Sequence, residues 1–519
     1  MTTPYGITGY GAHVPRLRIE RAAIAAAHRW MAPGLRAQAA GQRAHCSWDE
    51  DSVTMAVEAA RDALAHLGQS MGPGLDPKLD PAQALQSLTF VSATPPCAEL
   101  QCGAIVADAL ALAPAARTLD IASSHRAVCA ALDAALAAGR APALLIAADR
   151  PRARPASTQE IGQGAGAAAF TLGVERVLAQ RIGSASRHAM FVDHFRAEGS
   201  AFDYWWEERW IRDEGYLKLL AATVREALAI AGIATAAVDH FIFPTPFKGA
   251  AAALAKQLGV RAQADADALL DACGFAGAAH GGLMLADVLG RAEANEVIVL
   301  CGFGQGADVL VLRTTDAIAQ GRPTHAETAQ RAPRGEATQR TPRGVRGALA
   351  DASVHDAYLR LAAFEGNISP DWGMRGEKTL KTAMTEQYRS TGQLAGFVAG
   401  RCAACGTVQF PQLPYCLNPE CNAPRAQFTP HPLLDEAAQV LTYTADWATF
   451  HLAPPLYVGF IQFASGARVL MEMVDVGPGG PEVGMPMRIV CRIKDVDRTR
   501  GYPRYFWKAT PTGALRAGS

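Results

Sequence analysis

An internal repetition restricts the possible folds of this chain more than any other feature: five elements and a closing glycine hairpin follow one another in the same order twice before residue 315. The strand and turn SLTFVSATPP near residue 90 have a counterpart in DHFIFPTPF near residue 243. Each is followed by an alanine-rich helix pattern (GAIVADALAL, then AAALAKQLGV), a short strand, and a second small-residue helix (HRAVCAALDAALAAG, then GAAHGGLMLADVLGRA). A buried-looking strand comes next, ALLIAAD in one copy and EVIVLCGFG in the other, and each copy closes on a glycine hairpin, GQGAGAAAFTL and GFGQGADVLVL. Strands alternating with helices build βαβ units on a sheet. Unrelated α/β segments also resemble one another, but five elements matched in order favour duplication.

Composition bounds what such a chain can do. At 519 residues it exceeds what one hydrophobic core serves, so several domains are expected. Half the residues are hydrophobic and 19% charged, which places the chain among folded proteins. Lys plus Arg equals Asp plus Glu at 49 each, so no global field recruits a polyanion, and small-molecule work is favoured over nucleic-acid binding. No signal-like N-terminus and no run of about 18 apolar residues occur, so the expectation is a soluble cytoplasmic protein without a membrane partner. A helix is expected from Asp51 onward, with Val53, Val57, Ala60, Leu64 and Leu67 on its apolar face and a solvated polar face opposite. Between the two copies, residues 194–216 concentrate Trp205, Trp206 and Trp210 among charges, which suits a cover over a pocket or a subunit contact.

The second half has a different grammar. Residues 321–346 hold six arginines, three prolines and almost no large apolar side chain, a flexible-linker composition. Residues 351–393 read as helical, and after them QVLTYT, YVGFIQF, RVLMEMVDV, MRIVCRIKDV and RYFWKAT alternate as strands do, enough for a small closed barrel. Of eleven cysteines, seven are scattered at 46, 97, 102, 129, 273, 301 and 491. The other four form a pattern: Cys402-x2-Cys405, ten residues, then Cys416-x4-Cys421, two knuckles with the spacing of a tetrahedral Zn2+ site. An Fe–S cluster or four free thiols are the alternatives. If zinc is bound, the protein fills all four positions, so the metal is structural.

The pentad order and glycine hairpins of residues 5–315 resemble the thiolase superfamily, most closely its 3-hydroxy-3-methylglutaryl-CoA synthase and ketoacyl synthase branch. Residues 351–511 resemble the zinc-ribbon and OB-fold domains that accompany such enzymes. The resemblance implies a duplicated five-layered αβαβα domain over 1–318, a linker over 319–350, a helical segment over 351–395, a zinc ribbon over 396–426 and an OB-type β-barrel over 427–519. It also implies a homodimer, a pocket where the two half-motifs meet, coenzyme A as substrate, and acyltransferase chemistry.

The catalytic positions of that branch are not conventional here. Where a pattern like D-I-x-x-A-C places the nucleophilic cysteine, this chain reads Asp120-Ile-Ala-Ser-Ser-His125, with Cys129 four residues later. The basic histidine of an F-H-Q-P pattern is missing, since Phe243 is followed by Pro244, Thr245 and Pro246. The acidic position falls on Pro95 and the oxyanion-side asparagine on Cys273. Three expectations follow. Cys129 serves as a displaced nucleophile; or neutral His125, at a helix start, is a general base that activates CoA for direct attack on a 3-oxo acyl carbonyl or deprotonates a 3-hydroxyl for retro-aldol cleavage; or the site is dead and the chain is an acyl-CoA-binding scaffold. Cys273 is a candidate assistant, whereas Cys301 and His280 read as core residues.

Overall fold

Each copy of the repeat supplies one half of the first domain, and the halves share a strand order. In the computed structural model, residues 4–70, 81–122, 124–139, 141–264, 266–321, 340–371, 381–477, 479–497 and 499–513 are described. The first half lines up Gly6–His13, Gly166–Gly173, Ala143–Asp149, Ser87–Val91 and Arg117–Ile121. The second lines up Ala179–His188, Gly306–Thr314, Val297–Phe303 and His240–Ile242 in the corresponding sequence. Pairings match as well: the first three strands of each half are antiparallel neighbours and the fourth runs parallel to the third. The halves meet at Gly6–Gln180 and Ile7–Ala179.

Between the half-sheets lie two small-residue helices, Ala127–Ala138 and His280–Leu289, the second buried along its whole length. Their alanines and glycines let helix and sheet approach closely: a Cβ on Gly282 would stand 3.0 Å from the Cβ of Ala168. Helix Ser52–Ser70 covers the outside of the first half and Ala221–Ala231 the outside of the second, which completes αβαβα layering. The expected short strand of the second copy has no counterpart among the described residues. Only the bond from Ala266 N–H to Phe241 O, 3.1 Å, marks its place.

The polar face of helix Ser52–Ser70 is not solvated, contrary to its amphipathic pattern. Glu58, Arg61 and Asp62 are buried because later parts of the chain cover them. Glu58 accepts from the Cys491 backbone N–H at 3.0 Å and pairs with Arg61 and Arg340, each at 3.1 Å. Asp62 accepts the N–H groups of Arg343 (2.7 Å) and Gly344 (3.0 Å). The linker expectation over 322–339 lies outside the described residues, while its far end is docked: Arg346 pairs with Asp287 at 2.5 Å. Just beyond, Ser353–His355 runs parallel to Leu17–Glu20 and adds a third strand to the pair it forms with Gln42–Ala44.

The C-terminal strands Ala438–Val440, Leu456–Phe463, Arg468–Met473, Pro486–Asp497 and Tyr502–Pro511 close a ring in the order first, second, third, fifth, fourth, first. The expected small barrel is therefore present. A buried ion network joins it to the first domain. Arg492 pairs with Glu50 (3.1 Å) and Asp475 (2.7 Å), Lys508 pairs with Asp49 (3.0 Å), and Tyr505 donates to Asp51 at 2.7 Å.

Candidate active site and four-cysteine cluster

His125 lies in the turn just before helix Ala127–Ala138. Three aromatic side chains distant in sequence converge on it. Its ring is stacked on His194 with centroids 3.6 Å apart and planes 17° from parallel. Phe275 meets it edge-on at 5.3 Å and Trp205 tilts against it at 5.7 Å. His194 and Trp205 are cross-strand partners in the small hairpin His194–Phe195/Tyr204–Trp205, which puts both on one face of that ribbon. Phe195, Tyr204 and Trp206 are exposed. The aromatic segment singled out in the sequence therefore lays His194 and Trp205 against His125 and leaves Phe195, Tyr204 and Trp206 facing outward.

The second imidazole is held from behind. His194 Nδ1 is 2.7 Å from Asp193 Oδ2, and the other Asp193 oxygen accepts from Gln305 Nε2 at 3.0 Å. Gln305 also donates from Nε2 to His194 O at 3.1 Å. It sits on the second-copy glycine hairpin at φ +51°, a left-handed conformation unusual for a residue with a side chain. Burial, then the neighbouring His194, Arg196 and His280, hold the His125 imidazole well below its ordinary pKa, so it is neutral at pH 7.

The remaining candidates are placed elsewhere. Cys129 is in the core, its Sγ donating to the carbonyls of Leu300 and Asp308, each 3.5 Å away. Burial, and then Asp308, push that thiol well above its ordinary pKa. Cys273 is fully buried at the end of a one-turn helix, its Sγ donating to Leu269 O at 3.4 Å, and burial pushes it up to about 11 against the opposing effect of Arg18 and Arg21. Neither is a ready thiolate. His280 accepts the Ala276 N–H at Nδ1 (3.2 Å) and bonds Ala268 O through Nε2 (2.8 Å), which makes it a satisfied core residue. Cys301 is buried in strand Val297–Phe303, in the separate core beneath helix Ala221–Ala231. The sequence reasoning missed Asp193, His194 and Gln305. The only available signals were the Asp-His pair at the edge of the aromatic segment and a glutamine between glycines in GFGQG.

Asp149 underpins the turn that presents Phe275. It accepts the Ala278 N–H at 2.9 Å and bonds the Ser92 hydroxyl at 3.3 Å as well as that of Thr94. Gly277 passes so close to this carboxylate, at φ +52°, that no side chain fits there. A cavity of about 620 Å³ between helix Cys102–Ala109, residues 382–395 and the barrel is lined by none of these groups.

The four cysteines Cys402, Cys405, Cys416 and Cys421 come together at the end of a three-stranded sheet, Val398–Cys402 between Val408–Gln409 and Phe428–Pro432. Their sulfurs all lie within 4.8 Å of one another, with Cys402–Cys421 at 3.8 Å and Cys405–Cys416 at 3.5 Å. Tetrahedral coordination at a Zn–S distance of about 2.3 Å requires sulfurs about 3.8 Å apart, so the donor set fits that metal. Each pair is followed by a left-handed residue, Gly406 (φ +78°) and Asn422 (φ +45°), which turns the chain back beneath the sulfurs.

With this geometry in view, the first domain has the thiolase-like αβαβα fold. No family model matches the chain. It is 28% identical over 336 residues to the hydroxymethylglutaryl-CoA synthase of Aeropyrum pernix, covering 61% of this chain and 87% of that protein. Against the synthase of Thermococcus onnurineus it is 27% identical, with 62% and 90% covered. Among solved structures, 3-oxoacyl-(acyl carrier protein) synthase III, FabH, from Pseudomonas aeruginosa PAO1 superimposes with a TM-score of 0.52 at 21% identity, over 60% of this chain and 98% of that one. MvaS in complex with 3-hydroxy-3-methylglutaryl coenzyme A gives 0.51 at 19%, over 62% and 87%. The first domain is thus similar in sequence to hydroxymethylglutaryl-CoA synthases and in fold to such synthases and to ketoacyl synthase III, and it is followed here by a cysteine cluster and a closed barrel.

Proposed function

We propose that the chain is an acyl-CoA acyltransferase of thiolase type that makes or breaks a carbon–carbon bond of a 3-oxo acid or 3-oxoacyl-CoA with coenzyme A, and that it does so without an acyl-cysteine. The substrate class is carried by the resemblance to hydroxymethylglutaryl-CoA synthases. The non-covalent route is supported by one observation: the nucleophile position holds neutral His125 stacked on His194, while Cys129 and Cys273 are core thiols bonded to carbonyls. A neutral imidazole is a competent base for the CoA thiol, whose sulfur then attacks the 3-oxo carbonyl directly. Cys402, Cys405, Cys416 and Cys421 would hold a structural Zn2+, which contributes to folding and takes no part in the reaction. The barrel is read as an OB-fold, and the homodimer implied by the resemblance has a free sheet edge available in Arg117–Ile121, where Leu119 is 56% exposed.

The test is incubation of purified protein with CoA and a panel of 3-oxo acids, 3-oxoacyl-CoAs and 3-hydroxyacyl-CoAs, with products read by mass spectrometry. Chain-shortened or chain-extended acyl-CoA without a protein adduct is expected. No turnover with any 3-oxo compound would overturn the function, and an acyl adduct on Cys129 or Cys273 would overturn the direct-attack route.

A further inference from the structure

We infer that His194, oriented by Asp193 and Gln305, is the second proton-handling imidazole of this site, protonating the carbon that leaves while His125 takes the proton of the CoA thiol. This rests on the proposed 3-oxoacyl chemistry and identifies the groups that move its two protons.

In thiolysis, His125 removes the S–H proton as the sulfur bonds to C3. The adduct then collapses, the C2–C3 bond breaks, and its electron pair passes to C2 as a thioester enolate. That carbon takes a proton from His194 and leaves as acetyl-CoA, the shortened acyl group remaining on the attacking CoA. Each imidazole returns to its starting state by proton exchange with water, and synthesis is the reverse.

Two distinct groups are needed because the protons belong to atoms on opposite sides of the bond that breaks. Rings stacked face to face at 3.6 Å cannot hydrogen-bond each other, since their nitrogen donors and acceptors lie in the ring planes. Each therefore addresses its own substrate atom. Their hydrogen-bond partners differ. His125 has no carboxylate bonded to it among the described residues, and His194, Arg196 and His280 all oppose its protonation. His194 is bonded through Nδ1 to Asp193, which orients the ring and leaves Nε2 as its reactive nitrogen. Asp193 is fixed in turn by two Gln305 donors, Nε2 at 3.0 Å and the backbone N at 3.4 Å. The other nearby cation, Arg196, is already paired with Asp203 at 2.7 Å. Asp193 and Gln305 are positioning residues that act through His194.

Two assays separate the roles: thiolysis of a 3-oxoacyl-CoA, and exchange of the acetyl-CoA methyl protons for deuterium in D2O, which needs only the group that serves carbon. General acid–base groups contribute roughly 10²–10⁴-fold. His194→Gln and the isosteric Asp193→Asn are expected to slow exchange and thiolysis about 100-fold or more, with the KM for CoA changed less than about threefold. His125→Gln is expected to lose thiolysis while keeping exchange within about tenfold. Circular dichroism and thermal midpoints of each variant separate loss of chemistry from loss of fold. Exchange by a folded His194→Gln protein within about threefold of the parent overturns this inference alone. A parent protein inactive in both assays overturns it together with the proposed function.

Discussion

Asp149 ends a buried strand with its carboxyl against two hydroxyls and the Ala278 N–H, and burial pushes its pKa up from 3.8 to about 6. Between those values the unfolded chain has released a proton that the folded chain retains, so this group's contribution to stability falls as pH rises through that window. A displacement of that size corresponds to a loss of about 3 kcal/mol once the window is crossed. His280 acts in the opposite direction: burial holds it down at about 4, so its contribution falls as pH drops from 6.5 toward 4. The stability difference between the parent and Asp149→Asn isolates the first effect, and urea unfolding from pH 4 to 7 should show it shrinking as pH rises. A constant difference would sink the assignment. For the cysteines, Cys129→Ala should keep activity within about threefold and cost about 1 kcal/mol of packing, as measured by turnover and denaturation. Loss of turnover in a folded Cys129→Ala protein would restore the displaced-nucleophile reading.

At the scale of elements, the latch on helix Ser52–Ser70 and the cysteine cluster make separate predictions. Glu58→Ala leaves Arg61 and Arg340 without their buried partner and should destabilise the chain by about 3–5 kcal/mol in chemical denaturation, far more than an exposed ion pair. Metal analysis should find about one zinc per chain. Cys416→Ser should lower that content and loosen residues 398–432, read as faster amide exchange there than in the first domain. The cluster was legible because ligand spacing is local, and Gly406 and Asn422 mark the turns on which the sulfurs depend. Repeated strand order was legible for a similar reason, since each element carries its own hydrophobic period. The hidden face of helix Ser52–Ser70 was not. Glu58 and Asp62 look like solvated charges until Cys491 and Arg343, hundreds of residues away, arrive to bond them. The same holds at the site: His125 could be read from its displaced motif, but nothing periodic announces that His194 and Gln305 will meet it.

For the whole molecule, the buried pairs Arg492–Glu50 and Lys508–Asp49 tie the two large parts into one cooperative object. Calorimetry should therefore show the first domain and the barrel melting together, and residues 1–318 expressed alone should melt markedly lower because Glu50, Glu58 and Asp62 lose Arg492, Arg340, the Cys491 N–H and the Arg343 and Gly344 N–H groups. Two well-separated transitions in the full chain would contradict this. The strand Ser353–His355, which completes the sheet begun by Leu17–Glu20, has a further consequence for supply and exchange. An accessory module that lends a strand to its neighbour cannot be shared among several enzymes or withdrawn when its ligand runs short. Every copy of the reaction centre is born with one barrel and one cysteine cluster, so their ratio is set at translation and cannot be retuned by changing how much of either is made.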